Sequence, residues 1–405
     1  MTIYIIYIVA TFILSVFYDR TEEFTGKKRI WYMLTCLFLI LIAGLRNGVG
    51  GDTQAYMVYF EEAPVDSSDY GMYIEYMQLS GGHMPGWTMF TLLCKRWFGS
   101  FYWVQLIQTA IVNISLFYIF RKYTKHIFLC ALLYGISGHF FNFNTEVMRE
   151  GIAVSLCLVG MHQYLQGNKK WFYILVSFSL FFHISAIIAF IFPFVNTKQF
   201  SFKKLIIAFF ISFGLWFISD AVVSFMTDHI VGEGGIIDKL LRYSDRKSSI
   251  FGFLILVIQY FVIQGGITYV AQKGREEDEE WMQKYNHLIS FYLVLAIVGC
   301  GISGFTRLMN YTMPIYMIML AEFFGNLTQN IRYLAITKII LIGGFIWSIH
   351  FFYMHYLPEN DRYHYEFFVP YTSVLDENVD NTYRYNMYVE AVTPQTQNAK
   401  NSRNF

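Results

Sequence analysis

Charge is scarce in this chain. Aspartate, glutamate, lysine and arginine make up 15% of its 405 residues, hydrophobic residues make up 55%, and the mean hydropathy is +0.39. A soluble protein of that length carries more charge, so a water-soluble class is excluded. The net charge is only +1, which gives bulk electrostatics no hold on nucleic acid or another acidic polymer. Cysteine is sparse too. Cys36, Cys94, Cys130, Cys157 and Cys300 are scattered in or beside apolar segments, a spacing that fits neither a disulfide framework nor a zinc site. No G-x-x-x-x-G-K-[ST] loop occurs, so nothing supports an ATP-driven pump. Gly232-Glu233-Gly234-Gly235 follows no strand and is not a dinucleotide fingerprint. No Asp-x-Asp pair offers ligands for a metal-held nucleotide sugar, and no His/Cys cluster suggests zinc, so neither metal nor cofactor is expected. A cleavable signal is also missing, because residues 2–18 lack a basic leading region and positive charge follows the segment.

What the sequence does have is apolar length. Candidate spans fall at about 2–18, 30–45, 101–120, 127–143, 148–165, 171–183, 184–195, 205–226, 250–271, 287–305, 310–325 and 337–356. The expected fold is all-α, a polytopic membrane protein of roughly 11–13 transmembrane or re-entrant helices. Residues 1–356 form the membrane domain, with an outer segment at 46–100 and an outer loop at 227–249. Residues 357–405 form a polar extracytoplasmic tail whose Asn-, Gln-, Thr- and Ser-rich end reads as disordered.

Basic loops set the orientation. Arg20, Lys27, Lys28 and Arg29 follow the first span and are placed inside, with Arg121, Lys122, Lys125, Lys169, Lys170, Lys273, Arg275, Lys284, Arg332 and Lys338. Lys198, Lys203 and Lys204 conflict with that register unless the stretch 171–194 is split at His183 into two short helices that meet near the outer face. Residues 84–97 read as an outer interfacial or re-entrant helix. In this register Arg46, Asp52, Arg149, His183, Arg242 and Arg307 all reach the outer face.

Isolated polar groups beside membrane spans are candidates for function. Ile30 to Leu45 runs straight into Arg46-Asn47-Gly48-Val49-Gly50-Gly51-Asp52-Thr53, with Tyr56 one turn on. The glycines let the backbone turn sharply and approach a ligand closely. Arg46 offers a planar fork suited to phosphate oxygens, and Asp52 either orients that arginine or accepts a proton from a hydroxyl. Arg149 opens a helix, where free N–H groups and the dipole attract anions. Glu146 stands three residues before it, and both Glu146 and Glu150 are open to structural roles. His183 lies in Phe181-Phe182-His183-Ile184-Ser185-Ala186, and a lone histidine among apolar residues is more often a core residue than a catalyst. Arg307 and Tyr311 share one side of a helix at i,i+4, with interfacial anchoring as the plain alternative. The loop Asp238 to Lys247, with Arg242, fits a short amphipathic helix on the outer surface.

At these residues the chain resembles the EpsG/Wzy-type membrane polymerases of bacterial surface polysaccharides. The resemblance is carried by Leu45-Arg46 with Val49-Gly50-Gly51-Asp52-Thr53 and Tyr56, then Pro85-Gly86-Trp87, Arg149 with Gly151-Ile152-Ala153, Phe182-His183 with Ser185-Ala186, Arg307 with Tyr311, and Pro370-Tyr371. These pieces stand in the family's order over nearly the whole chain. Gly51 replaces a usual threonine, Glu150 a frequent glutamine, and Trp87 a common tyrosine. The resemblance implies a GT-C-like, Wzy-type helical bundle in the bacterial inner membrane and a metal-independent glycosyltransferase. Its donor would be a growing glycan on undecaprenyl pyrophosphate, its acceptor a lipid-linked repeat unit, with a chain-length regulator as a further partner. Arg149 and Arg307, then Arg46, are assigned to the leaving pyrophosphate, and His183 or Asp52 to the acceptor hydroxyl, with His183 slightly preferred. Thr53, Tyr56, Glu146, Arg242 and Tyr311 complete the substrate-binding set. Two rivals remain from other classes: a flippase of lipid-linked oligosaccharide, and an O-antigen ligase-like or acyltransferase enzyme.

Overall fold

The computed structural model describes residues 2–21, 23–79, 83–195, 200–230, 249–273, 279–302, 304–327, 356–357, 362–376, 384–386 and 389. Its helices are α1 (Thr2–Tyr18), α2 (Gly26–Gly44), α3 (Thr53–Glu62), α4 (Tyr70–Leu79), α5 (Pro85–Phe98), α6 (Phe101–Tyr123), α7 (Ile127–Ile136), α8 (Gly138–Phe141), α9 (Met148–Leu165), α10 (Lys169–Leu180) and α11 (Phe202–Ile230). Then come α12 (Ile250–Val257), α13 (Gly265–Lys273), α14 (Glu279–Gly301) and α15 (Met313–Leu327). Short antiparallel strands, Tyr356–Leu357 against Arg362–Tyr363, are the sole sheet among the described residues. The architecture is that of an all-α polytopic membrane protein.

The helices run between two ends of the bundle. At one end, Arg121 lies 3.9 Å over the ring of Phe24, and Asp19 accepts from the first free amides of α7, Phe128 N at 3.1 Å and Leu129 N at 2.8 Å. Trp281 and Tyr285 of α14 donate to the Tyr123 carbonyl, and Thr124 donates to Glu322 of α15 at 2.7 Å. The segment Ile184–Phe194, a 3₁₀ helix, returns to this end, where His287 meets the Phe192 carbonyl at 2.7 Å and Phe200 N donates to Asn286. A single crossing from Lys170 to Lys203 is thereby excluded. The chain turns at His183, and Lys169, Lys170, Lys203, Lys204, Lys273 and Lys284 gather with Arg121 at one end. The turn at His183 follows the sequence expectation.

The spans themselves need correction. Three described helical stretches are long and apolar enough to cross a membrane: Phe101–Tyr123, Phe202–Ser219 and Ile250–Lys273. A fourth forms if Ile127–Ile136 and Gly138–Glu146, bent by 74°, count together. The expected span at 127–143 is the one that bends, followed by a π-helical stretch at Asn142–Glu146, whereas that at 250–271 runs on as one helix through a π-helical stretch at Ile258–Gln264. Residues 337–356 lie outside the described ones. Hydropathy registers apolar length but not side chains that cap a broken backbone. Gln105, Gln108 and Asn113 of α6 are fully buried. Gln108 donates to the carbonyls of Phe143 (2.8 Å) and Met148 (3.2 Å), and Asn113 donates to Asn144 (2.9 Å). Each such bond is worth about 1 kcal/mol net, and together they hold the break open in a core where an unmet carbonyl is costly.

The two-ended arrangement gives a labelling test. Single cysteines at Lys170 and Lys203 are expected to react with an impermeant maleimide from the same side as one at Arg121, and one at Ser68 from the other. Labelling of 170 and 203 from opposite sides removes the turn at His183.

Candidate functional site

The second end of the bundle collects four breaks in regular structure: Leu45–Asp52, Asn142–Val147, Phe181–His183 and the 3₁₀ turn Phe305–Tyr311. Side chains from elsewhere in the chain brace them. Gly50, at φ +109°, brings its backbone so close that a Cβ would stand 2.7 Å from Thr145 Cβ. Beyond it Glu146 accepts from Gly51 N at 2.7 Å and Asp52 N at 3.0 Å, and Tyr56 OH donates to the Glu146 carbonyl at 3.2 Å. The glycine run therefore serves close packing of two protein segments, not the approach of a ligand.

The sequence candidates separate by exposure. Asp52 and Arg307 open to the surface of this end, and Arg149 and His183 are half-buried beside them. The Arg149 guanidinium carbon lies 5.9 Å from the centroid of the Tyr56 ring. Arg307 donates from Nε to Glu150 Oε2 at 2.6 Å, while Asn310 donates to Glu150 Oε1 at 3.1 Å. Glu150 is fully buried and the Arg307 side chain 40% exposed, so one edge of the guanidinium is fixed while the rest of the side chain reaches outward. His183 Nδ1 lies 2.5 Å from Ser185 Oγ, which lies 2.9 Å from Tyr311 OH.

Asp52 carries the electrostatic signature of the site. Its side chain is exposed, yet protein surrounds it closely enough to strip much of its hydration. Desolvation first, and the nearby Glu146 carboxylate second, push its pKa up to about 7, while Arg149 and Arg307 pull it down. The charges of the same two arginines also reach His183. These four groups form one electrostatic neighbourhood.

The remaining candidates face inward, which corrects their expected roles. Arg46 is 1% exposed. Its guanidinium donates to Val49 O at 3.1 Å and to Ala43 O, and contacts Thr53 and Met148. It neither reaches the surface nor pairs with Asp52, because closing the end of α2 consumes its donors. Thr53 is buried and donates to Val49 O at 2.8 Å. Glu146 spends its carboxylate on the two loop amides and Thr145. The buried Tyr56 and Tyr311 hold backbone and Ser185. Arg242 lies outside the described residues.

Three partners were not foreseen: Glu150, Asn310 and Ser185. Glu150 follows Arg149 directly, and one residue turns a helix by about 100°, so its inward aim was readable. The other two gave no local signal. The tail was also read too simply. Residues 365–376 pack on the Arg46 loop through Asn47 N to Thr372 O and Val374 N to Leu45 O, both 2.9 Å, and Tyr371 OH to Ile42 O at 3.1 Å. The buried Arg384 donates to Asn47 O at 3.0 Å and also reaches Thr372 and Pro370.

A solvent-facing cluster of two arginines, a carboxylate of raised pKa and a histidine suits anionic substrate and proton transfer. The family model for EpsG matches residues 29–373, taking in every break that builds this end. The chain belongs to the EpsG family. Membership points to a polysaccharide polymerase of glycosyltransferase type in a membrane. Neither a curated protein nor a solved structure matches the chain significantly. Among the described residues no group of three or more His, Cys, Asp or Glu is arranged to hold a metal.

Inward and outward arginines separate experimentally. Arg46→Leu takes the guanidinium donor from the buried Ala43 carbonyl, at a cost of about 1–3 kcal/mol, and is expected to lower the melting midpoint in detergent and the folded yield. Arg149→Ala should leave both near wild type. Size-exclusion profiles and thermal melts of the two variants check this.

Proposed function

We propose that this protein polymerises a bacterial surface polysaccharide at the outer face of the inner membrane. The growing glycan is transferred from undecaprenyl pyrophosphate to the terminal hydroxyl of a lipid-linked repeat unit. One observation carries the reading: Asp52, Arg149, His183 and Arg307, from four separate parts of the chain, share the end of the bundle opposite its lysine-rich loops. Positive residues collect on the cytoplasmic side, so the opposite end faces outward.

The chemistry divides among them. Asp52, with a pKa near neutrality, takes the proton of the acceptor hydroxyl. The oxygen attacks the donor's anomeric carbon as the bond to the diphosphate breaks. Negative charge gathers on the leaving undecaprenyl pyrophosphate, where Arg149 and Arg307 stabilise it. Glu150 keeps Arg307 aimed outward by fixing its Nε edge. Glu146 holds the Asp52 amide and, by its charge, raises the affinity of that carboxylate for a proton. A flippase needs polar groups near mid-membrane, whereas these lie together at one end, which favours chemistry there.

Membranes carrying the protein, supplied with lipid-linked repeat units, are expected to produce a ladder of glycan lengths. Arg149→Ala or Arg307→Ala should slow elongation by about 10²–10³; full-length ladders from either variant remove the proposal. Because Asp52 acts as the carboxylate and its proton is lost at about pH 7, turnover is expected to rise as pH climbs through 7 and then level. Asp52→Asn should abolish that limb together with most of the rate, which a pH series on purified protein reads directly.

A further inference from the structure

We propose that His183 acts as a neutral hydrogen-bond donor to the diphosphate, through Nε2–H, and that Ser185 and Tyr311 lock it in that tautomer. The inference deepens the reading above and rests on it for the identity of the anion.

The evidence lies in the turn. His183 is the N-cap of the 3₁₀ helix Ile184–Phe194, with extended backbone at φ −154° and ψ 128°. Its Nδ1 accepts from the backbone N–H of Ser185 at 3.4 Å, the N2 amide that an N-cap side chain ordinarily satisfies. A backbone amide only donates, so the nitrogen it meets presents a lone pair and carries no proton. The Ser185 hydroxyl, 2.5 Å from the same Nδ1, then donates to it as well and turns its own lone pair to the Tyr311 hydroxyl at 2.9 Å. Tyr311 is fully buried and Ser185 nearly so, so water does not scramble the order. The chain runs Tyr311 O–H to Ser185 O–H to His183 Nδ1, each donor polarising the next.

A neutral imidazole whose Nδ1 is an acceptor holds its single proton on Nε2. None of the bonds to the His183 ring engages Nε2. The ring stands in the field of Arg149 and Arg307, where an anion collects, so Nε2–H becomes a third donor to the same diphosphate. An Nε2 already protonated cannot take the acceptor's proton. That proton goes to Asp52 while the glycosidic bond forms and the bond to the diphosphate breaks, and His183 ends the step as it began. Ser185 and Tyr311 are positioning residues.

The test separates tautomer from turnover. Protein labelled with ¹⁵N-histidine is placed in lipid nanodiscs, and the His183 signals are assigned by difference against His183→Gln. The expected spectrum has a bare Nδ1 and a protonated Nε2, with the Nε2–H resonance moving on addition of undecaprenyl pyrophosphate. A protonated Nδ1, or an Nε2–H that ignores the lipid, overturns the proposal. Ser185→Ala should let the tautomers mix, and Ser185→Thr, which keeps the hydroxyl, should restore the wild-type pattern; an unchanged spectrum in Ser185→Ala overturns the lock. In the elongation assay His183→Ala is expected to lose about 10²–10³ in rate, whereas His183→Gln, whose amide places an N–H near Nε2, should stay within about tenfold of wild type. If His183→Gln is as slow as His183→Ala, the donor role fails and proton abstraction takes its place. Should the wild type make no polymer, the polymerase reading falls while the spectra still decide the tautomer.

Discussion

Backbone polar groups inside a membrane must find partners within the protein, because hydrocarbon supplies none. The outer architecture of this chain follows from that constraint. It interrupts helices at four places in one neighbourhood, and each interruption strands amides and carbonyls that side chains from elsewhere then meet. Arg46 closes the end of α2, Glu146 takes the amides of Gly51 and Asp52, Gln108 serves Phe143 and Met148, and His183 caps the helix that follows it. Satisfying the breaks pulls them together, and the outward-facing residues are carried along. The site is thus a by-product of repairing the backbone.

That economy explains why buried and exposed polar groups differ in role here. Those buried, Arg46, Thr53, Tyr311 and Glu150, have their hydrogen-bonding capacity spent on the protein. Asp52 and Arg307 are the groups left reaching water, with Arg149 and His183 beside them. A carboxylate in this company feels both signs of charge, and its proton affinity reflects the contest between burial with Glu146 and the two guanidinium groups. Burial and Glu146 outweigh the two arginines, which is why the proton is held up to about pH 7.

Much of this was legible in the sequence. Composition and apolar runs gave the membrane class, and the lysine-rich loops required the turn at His183. Asp52, Arg149, His183 and Arg307 stood out because charge or imidazole beside an apolar run is expensive. The partners stayed hidden because they are distant along the chain: Arg307 and Glu150 are 157 residues apart, Ser185 and Tyr311 126 apart, Asn310 and Glu150 160 apart. Local pattern holds no trace of such pairings. Arg46 was misjudged for a related reason, since nothing adjacent to it tells whether its fork faces a ligand or the carbonyls of its own helix end. The 74° bend within 127–143 went unread because hydropathy does not register Gln108 and Asn113, which bond to the segment beyond it.

The segment around Tyr371 has a consequence for assembly. It clasps the end of α2 through a contact spanning 329 residues of chain, so the clasp is made only after the segments bearing Arg149, His183 and Arg307 have left the ribosome. Until then the loop bearing Asp52 goes without this brace. The four groups therefore reach their final arrangement late, and the order of synthesis itself sets when the cluster is complete.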